Sequence, residues 1–256
     1  MKENNAAYRN EKTELIIGRN AVKEIIRSGR RTEEILLNRS GDAETEKIAG
    51  AAAEKDIPVK YVEKRVLDRL ARGGVHQGVI AYAEGYRYSS VADIIGYAQT
   101  MKEEPFVIIL DGIEDPHNLG AIIRTAECAG AHGVIIPKRR SAEINETVMK
   151  TSAGAASHVL CARVTNLPRT IEELKKAGIW VAAADMGGRN IYESDLTGPV
   201  AVVIGNEGKG ISRLAGEKCD FTVSVPLRGR ISSLNASNAA AVVMYEIRRQ
   251  RDGKQV

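Results

Sequence analysis

The sequence has few aromatic residues, few cysteines and no long apolar run. Phe, Trp and Tyr make up 4% of the 256 residues, which disfavours nucleic-acid binding by bases stacked on an aromatic platform. No segment approaches the roughly 18 apolar residues of a membrane-spanning helix, and the polar N-terminus does not resemble a signal peptide. These absences predict a cytoplasmic protein with no membrane partner.

The three cysteines are Cys128, Cys161 and Cys219, and they lie far apart in apolar segments. They lack both C-x-x-C spacing and a histidine partner, so we interpret them as reduced core residues and predict no metal site. With 43% apolar and 27% charged residues, the composition is that of a folded protein with a sizeable core. The length fits one large or two modest domains.

Basic residues exceed acidic residues by a net charge of +4, with 37 Lys and Arg against 33 Asp and Glu. The excess is spread over short clusters and does not form a polybasic arm, and each cluster alone is typical of a solvated face. The clusters are Arg27/Arg30/Arg31, Lys138/Arg139/Arg140, Arg228/Arg230 and Arg248/Arg249/Arg251.

Hydrophobic periodicity divides the chain near residues 85–105. We expect a disordered tail over residues 1–14, a small α/β domain over 15–84, a linker and helix over 85–104 and a second domain over 105–256. In the small domain the pattern predicts a helix near 21–26, then strand 35–37, helix 43–55, strand 58–62, helix 65–71 and strand 79–83.

The second domain alternates apolar strands with amphipathic helices. Strands are predicted at 106–110, 133–136, 159–162, 179–184, 200–204 and 221–225, with helices near 119–129, 166–176 and 233–250. Because the strands are almost continuously apolar, they predict a mostly parallel sheet covered on both faces.

Polar residues follow the strands of this sheet, where ligands bind in open parallel sheets. In the segment 111–120, Asn118 is a plausible helix N-cap. Arg124 stands between apolar positions, and a guanidinium buried among them would need a partner.

Two further segments lie at later strand ends. Residues 204–211 form a glycine-rich turn that lacks both the P-loop and G-x-G-x-x-G spacings, with Glu207 as a hydrogen-bond acceptor. Residues 226–238 are dense in Ser and Asn, which favour helix starts and supply donors and acceptors.

Together, the three segments resemble the motifs of the SpoU/TrmH family of RNA ribose 2′-O-methyltransferases, which use S-adenosylmethionine. The motifs are D-x-x-x-D-P-x-N-x-G-x-x-x-R, I-G-x-E-G-x-G-[IL] and V-P-x-x-G-x-x-x-S-L-N-x-S, in order between residues 106 and 249. Residues 15–84 resemble the L30e-like substrate-binding domain of the bacterial 23S rRNA guanosine-2′-O-methyltransferase.

The resemblance implies a catalytic α/β domain with a C-terminal trefoil knot, a homodimer formed through that domain, and S-adenosylmethionine bound in the knot without a metal. It implies ribosomal RNA of the large subunit, or an assembly intermediate of that subunit, as the partner. Carried over by motif, the cofactor contacts are Gly205, Val225 and Leu234, and the catalytic residues are Arg124, Asn118, Glu207, Ser233 and Asn235. In the N-terminal domain, RNA contacts are expected from Arg19, Asn20, Arg30 and His76, although His76 could instead stabilise its loop.

Methyl transfer to a ribose hydroxyl is an in-line displacement that requires alignment of two reactants and removal of one proton. Deprotonating an arginine of pKa about 13 at pH 7 costs roughly 8 kcal/mol. We therefore favour a cationic Arg124 that holds a phosphate and stabilises the developing alkoxide, with general-base action as the alternative. Asn118 and Asn235 are expected to orient Arg124 and the ribose, and Glu207 to accept a hydrogen bond from one of them.

Two other readings remain open at this point. The substrate could be a tRNA, or an rRNA adenosine such as that modified by thiostrepton-resistance enzymes, which have a similar two-domain plan. The chain could also be a non-catalytic RNA-binding or ribosome-assembly factor, although a pure binder has no need of all the motif polar residues.

Overall fold

The computed structural model describes residues 13–253, which form two compact units, one up to Arg87 and one from Tyr88. The expected tail of residues 1–14 lies outside the described residues except for its last two, which already belong to the first strand. Within the described range, no helix combines the length and apolar character needed to cross a membrane.

The first unit is a small α/β fold around a four-stranded sheet of order β1-β4-β2-β3. Its elements are β1 Thr13–Ile17, α1 Arg19–Ser28, β2 Thr32–Asn38, α2 Ala43–Ala53, β3 Val59–Val62, α3 Lys64–Ala71 and β4 Val79–Glu84. Strands β2 and β3 are parallel, and the other pairs are antiparallel. Helices α1 and α2 contribute Ile25 and Ile48 to one core cluster, and α3 contributes Leu67 to another.

The second unit contains a six-stranded sheet of order β10-β8-β9-β5-β6-β7. Its elements are α4 Val91–Met101, β5 Phe106–Asp111, α5 Pro116–Cys128, β6 Gly133–Pro137, α6 Glu146–Thr151, β7 Leu160–Val164, α7 Leu167–Lys176, β8 Trp180–Asn190, β9 Val200–Gly205, α8 Arg213–Gly216, β10 Phe221–Ser224 and α9 Ala236–Asp252. Every neighbouring pair in this sheet is parallel, which confirms the predicted parallel architecture.

Helices cover both faces of this sheet, so its central strands are buried. On one face, α4 and α7 pack on the strands through Ile94 and Ile171. On the other, α5 and α9 pack against each other, and α9 packs against β9. Because the strands are parallel, the loops after β5, β9 and β10 gather at one edge of the sheet.

Strand β8 bulges where it pairs with β10. Thr222 lies opposite Ala183, whereas the next residue, Val223, lies opposite Arg189. Since the β8–β9 ladder ends at Ala184, residues 185–188 belong to neither ladder. The bulge interrupts the regular pairing of β8 at the carboxyl edge of the sheet.

Two sequence expectations about individual residues are wrong. Cys128 is exposed near the end of α5 and is not a core residue, whereas Cys161 is buried. The last helix begins at Ala236, later than the predicted residue 233, because Asn235 caps it.

Burial raises the pKa of the Cys219 thiol to about 11, so this cysteine stays protonated at neutral pH.

Candidate active site

A cavity of about 320 Å³ opens at the carboxyl edge of the parallel sheet. Its walls come from the ends of β8, β9 and β10 and from the start of α9. The three sequence-predicted cofactor contacts, Gly205, Val225 and Leu234, all line it. Its volume is at the lower end of the range of about 300–1,000 Å³ for small-ligand sites.

The turn after β9 leaves no room for a side chain at Gly205. A Cβ atom there would lie 2.3 Å from the carbonyl carbon of Gly210 and 2.5 Å from the amide nitrogen of Ile211. The turn is closed by two backbone hydrogen bonds between Asn206 and Gly210, at 2.8 and 3.2 Å. Only glycine therefore permits this approach of the two backbones.

Asn206 fixes the turn, and sequence reasoning gave this residue no role. Its Oδ1 accepts hydrogen bonds from the backbone amides of Gly208 at 2.9 Å and Lys209 at 3.3 Å. Its Nδ2 donates to the carbonyl of Gly112 at 3.0 Å, which ties the turn to the loop after β5. An asparagine inside a glycine-rich turn is itself a signal for this kind of side-chain hydrogen bond.

Three predicted polar residues from distant parts of the chain meet beside the cavity. The Nδ2 of Asn118 donates to Oε1 of Glu207 at 2.6 Å. The Nδ2 of Asn235 donates to the same Oε1 and to Oδ1 of Asn118, both at 3.0 Å. The backbone amide of Ala236 also points at Oε1, at 3.3 Å. Glu207 thus joins the starts of α5 and α9.

The expectation that Asn118 caps its helix is wrong. Asp115 is the N-cap of α5, accepting from the amide of His117 at 3.0 Å, and Pro116 occupies the first helical position. Proline favours that position because its φ is already helical, so it sets the helix start one residue after Asp115. The Asn118 side chain is therefore free of capping and is bonded to Glu207 and Asn235.

Asn235 has both a structural and a site contact. Its Oδ1 caps α9 by accepting from the amides of Ser237 at 3.0 Å and Asn238 at 3.3 Å. Because the oxygen serves the cap, the amide nitrogen points toward Glu207. Capping thus orients the amide donor through which the Ser- and Asn-rich segment 226–238 is joined to the site.

Arg124 does not have the buried environment expected from the sequence. It is exposed on α5 and makes no hydrogen bond or ion pair with any residue that the structure describes. At 100° per residue, Asn118 and Arg124 point about 120° apart around the helix, and Arg124 forms no hydrogen bond with either of the described residues Asn118 and Asn235. Its neighbours Ile122 and Ile123 are buried. Ser233 lines the cavity and is exposed.

Charged side chains at the cavity are Asp185, Glu207 and Lys209. Asp185 comes from the β8 bulge and was not identified from the sequence. Among the described residues, no group of three or more His, Cys, Asp or Glu is placed to hold a metal ion.

The first unit has a second cavity, of about 570 Å³, at the loop of residues 74–78. Arg19 and His76, two of the predicted RNA contacts, line this cavity. Arg19 pairs with Asp42 at 2.7 Å and donates from Nε to the carbonyl of Gln77 at 2.9 Å. Its charge is therefore partly neutralised within the unit.

His76 is buried and holds its own loop. Its Nδ1 accepts from the amide of Gly78 at 2.9 Å, so the ring hydrogen is on Nε2 and is directed to Asp68, also at 2.9 Å.

The other two predicted RNA contacts lie at opposite ends of α1. Asn20 is exposed at its start. Arg30 follows its end, where it pairs with Glu14 and donates to the carbonyl of Glu84. The four predicted residues therefore do not form one cluster.

Known protein families and structures resemble the chain over almost all of its length. The SpoU rRNA methylase family matches residues 105–245, and the family described as RNA 2′-O ribose methyltransferase substrate binding matches residues 15–89. YacO of Bacillus subtilis (strain 168), assigned to the TrmH family of tRNA/rRNA methyltransferases, is 44% identical over 239 residues, which cover 93% of this chain and 96% of YacO.

Two solved structures of similar fold contain the cofactor. The SpoU methyltransferase AviRb from Streptomyces viridochromogenes, in complex with AdoMet, aligns with a TM-score of 0.62 and 25% identity, covering 94% of this chain and 92% of AviRb. An AdoMet-bound rRNA methyltransferase from Sinorhizobium meliloti aligns with a TM-score of 0.61 and 25% identity, covering 93% and 87% of the two chains.

Proposed function

The chain belongs to the SpoU rRNA methylase family of S-adenosylmethionine-dependent RNA methyltransferases, and from this premise we propose that it methylates the ribose 2′-hydroxyl of a guanosine in 23S rRNA. The observation that carries the proposal is the meeting of Asn118, Glu207 and Asn235 beside a cavity of about 320 Å³. This arrangement joins the three segments that bear the family motifs.

The residues of the cavity fit S-adenosylmethionine, which supplies an electrophilic methyl group when bound. Val225 and Leu234 provide apolar wall, and the tightly closed turn of Gly205 lines the cavity with backbone. Residues 226–234 make no hydrogen bond with any other described residue, so their backbone groups are available to a ligand. Together these features supply the mixture of apolar surface and a few polar groups that such ligands need.

Arg124 is proposed to stay positively charged and to contact the RNA through its guanidinium. Its guanidinium has no partner among the described residues, so it is available to a phosphate and to the alkoxide that develops on the ribose oxygen. General-base action would first require deprotonation, at a cost of roughly 8 kcal/mol.

The polar residues around Glu207 are proposed to orient the ribose. Oε1 of Glu207 already accepts three hydrogen bonds, which immobilises the carboxylate and leaves its second oxygen for the substrate. Ser233 adds a hydroxyl at the cavity rim. A rigid acceptor of this kind favours the aligned geometry that in-line displacement requires.

The first unit is proposed to be an L30e-like domain that selects the RNA, using Arg19, Asn20, Arg30 and the loop of His76. Its match to a substrate-binding family supports this role.

The second unit is proposed to be knotted and to pair with a second copy of the chain. Exposed apolar side chains on that unit support pairing, with Met186 exposed by 68% and Ile231 by 76%.

The proposal is tested by mapping 2′-O-methyl groups on RNA from cells with and without the protein. We expect one guanosine of 23S rRNA to lose its methyl group. A loss confined to tRNA, or at an adenosine, would replace the proposed substrate. Binding of S-adenosylmethionine by calorimetry separates an enzyme from a non-catalytic RNA-binding factor.

A further inference from the structure

The loop between β6 and α6, residues 138–145, carries three consecutive cations. Lys138, Arg139 and Arg140 are all exposed, and none of them pairs with a carboxylate of any residue in the described range. The nearby carboxylate of Glu143 is bound to Arg163 and is not paired with these three. The loop therefore presents unneutralised positive charge.

This β6–α6 loop is held in place by the surrounding chain. The amide of Lys138 donates to the carbonyl of Val164 at 2.7 Å, and the amide of Ile144 donates to the Tyr88 hydroxyl at 2.9 Å. Arg140 adopts a left-handed backbone with φ +56°. The backbone that carries the cations is thus held in place, so a ligand has to order only their side chains.

The loop also adjoins the candidate active site. The amide of Ala142 donates to the carbonyl of Ile113 at 2.8 Å, in the loop that leads from β5 to α5. Helix α5 carries Asn118 and Arg124. A polyanion lying on the cations would therefore pass beside the elements that hold the proposed catalytic residues.

Two of the first-unit residues predicted to contact RNA, Arg19 and Arg30, are already paired with carboxylates. Arg19 pairs with Asp42, and Arg30 pairs with Glu14. A cation already paired within the protein releases few RNA counterions on binding, because its charge is compensated before the RNA arrives. The first unit is therefore poorly equipped to supply salt-dependent attraction through these residues.

We propose that Lys138, Arg139 and Arg140 contact backbone phosphates of the substrate RNA, so that the catalytic unit supplies much of the salt-dependent affinity. This inference rests on the proposed function. Arginine suits the task because its planar fork donates two hydrogen bonds to a phosphate. The contacts position the RNA without reading its sequence.

The test compares two double variants of the full chain, each removing two exposed cations. The first is Arg139→Ala with Arg140→Asn, where asparagine tolerates the left-handed backbone. The control is Lys176→Ala with Lys102→Asn, which removes cations that precede β8 and β5 at the opposite edge of the sheet. Lys102 has a left-handed φ of +57°, so the two pairs are matched in charge and backbone.

Binding of a 23S rRNA transcript is measured over a series of KCl concentrations, with S-adenosylmethionine affinity as the check on folding. We expect the first variant to bind more weakly and its slope of log affinity against log salt to fall by about 1 for each phosphate that is no longer neutralised. The control should keep the wild-type slope, and both should keep the wild-type cofactor affinity.

An unchanged slope in the first variant would overturn the inference, as would an equal change in the control, which would show that only net charge matters. A first variant that also bound the cofactor more weakly would be replaced by Arg139→Ala alone, for which we expect about half the slope change. Wild-type protein that bound the transcript without transferring methyl would contradict the proposed function and leave the phosphate contacts measurable. Wild-type protein that bound no RNA would overturn both.

Discussion

Asn118 and Asn235 share one acceptor in the candidate site but differ in what they do for the fold. Asn235 caps a helix with its oxygen and reaches Glu207 with its nitrogen. Asn118 lies inside α5 and has no cap to maintain. Substitutions at Asn235 can therefore separate capping from the site contact, because serine caps a helix but cannot supply the amide donor.

We predict that Asn235→Ser lowers the methylation rate about 100-fold, as expected when a reactant is misplaced by about 1 Å. Its thermal unfolding should stay close to that of the wild type. Asn235→Ala should have the same rate loss and lose about 1 kcal/mol of stability as well, because the cap is gone. Rate and unfolding temperature are measured on the same samples. Full activity in the serine variant would show that the amide donor has no role.

For Arg124, the prediction follows from its exposure and its lack of a partner among the described residues. Arg124→Ala should abolish methyl transfer and leave S-adenosylmethionine affinity unchanged, since the residue does not line the cavity. Single-turnover methylation and calorimetry give the two values. Loss of cofactor affinity with residual turnover would contradict the assigned role.

In the turn that follows strand β9, the backbone at Gly205 lies directly against the backbone of Gly210 and Ile211, with no space for a side chain between them. We predict that Gly205→Ala forces the turn away from β9, costs about 1–3 kcal/mol as overpacking does, and abolishes cofactor binding. Gly198→Ala is the matched control, because a Cβ there would meet nothing within 4 Å. Denaturant unfolding measures the stability of the two variants, and calorimetry measures their cofactor affinity. Equal stability and equal affinity in the two variants would contradict the prediction.

His132 joins the starts of β5 and β6 through a buried contact. Its Nδ1 accepts from the amide of Phe106 at 3.0 Å, and burial lowers the pKa of the imidazole despite the opposing effect of Glu103. The unfolded chain, with an ordinary histidine pKa of about 6.5, then binds more protons than the folded one. The free energy of unfolding should therefore fall as the pH drops below about 6.5 and be unaffected by this group above it.

Urea unfolding of the wild type and of His132→Asn between neutral and mildly acidic pH measures this contribution. The difference in the free energy of unfolding between the wild type and His132→Asn should be largest near neutral pH and shrink toward acidic pH. A difference that stayed constant with pH would show that His132 does not titrate differently in the folded chain.

The elements that sequence reasoning predicted well are those with long apolar runs, such as β5 and β9, because burial on both faces leaves a clear pattern. Strand β1 was missed, because it is a short edge strand that follows a polar stretch. The exposure of Arg124 was missed because one helical residue can point outward between buried neighbours. Asn118 and Glu207 are 89 residues apart, so their residue types could be identified but their contact depended on the tertiary fold.

Each of the two units has its own core, and every residue of the candidate active site belongs to the second. We predict that removal of residues 1–87 leaves a chain that unfolds cooperatively and binds S-adenosylmethionine as the wild type does, but no longer selects its nucleotide. Calorimetry and methyl mapping on ribosomal RNA measure the two properties. A shortened chain that still modified the correct nucleotide at the wild-type rate would contradict the role of the first unit.

The bulge in β8 supplies the cavity with Asp185 and Met186, while the residues on either side of it pair with β10 in two different registers. A segment outside the ladder can change in sequence or gain a residue without shifting the strands that flank it. One wall of the cavity can therefore diverge between related enzymes while the scaffold stays constant. Under the proposed function, the same freedom makes this wall the place to engineer acceptance of enlarged cofactor analogues.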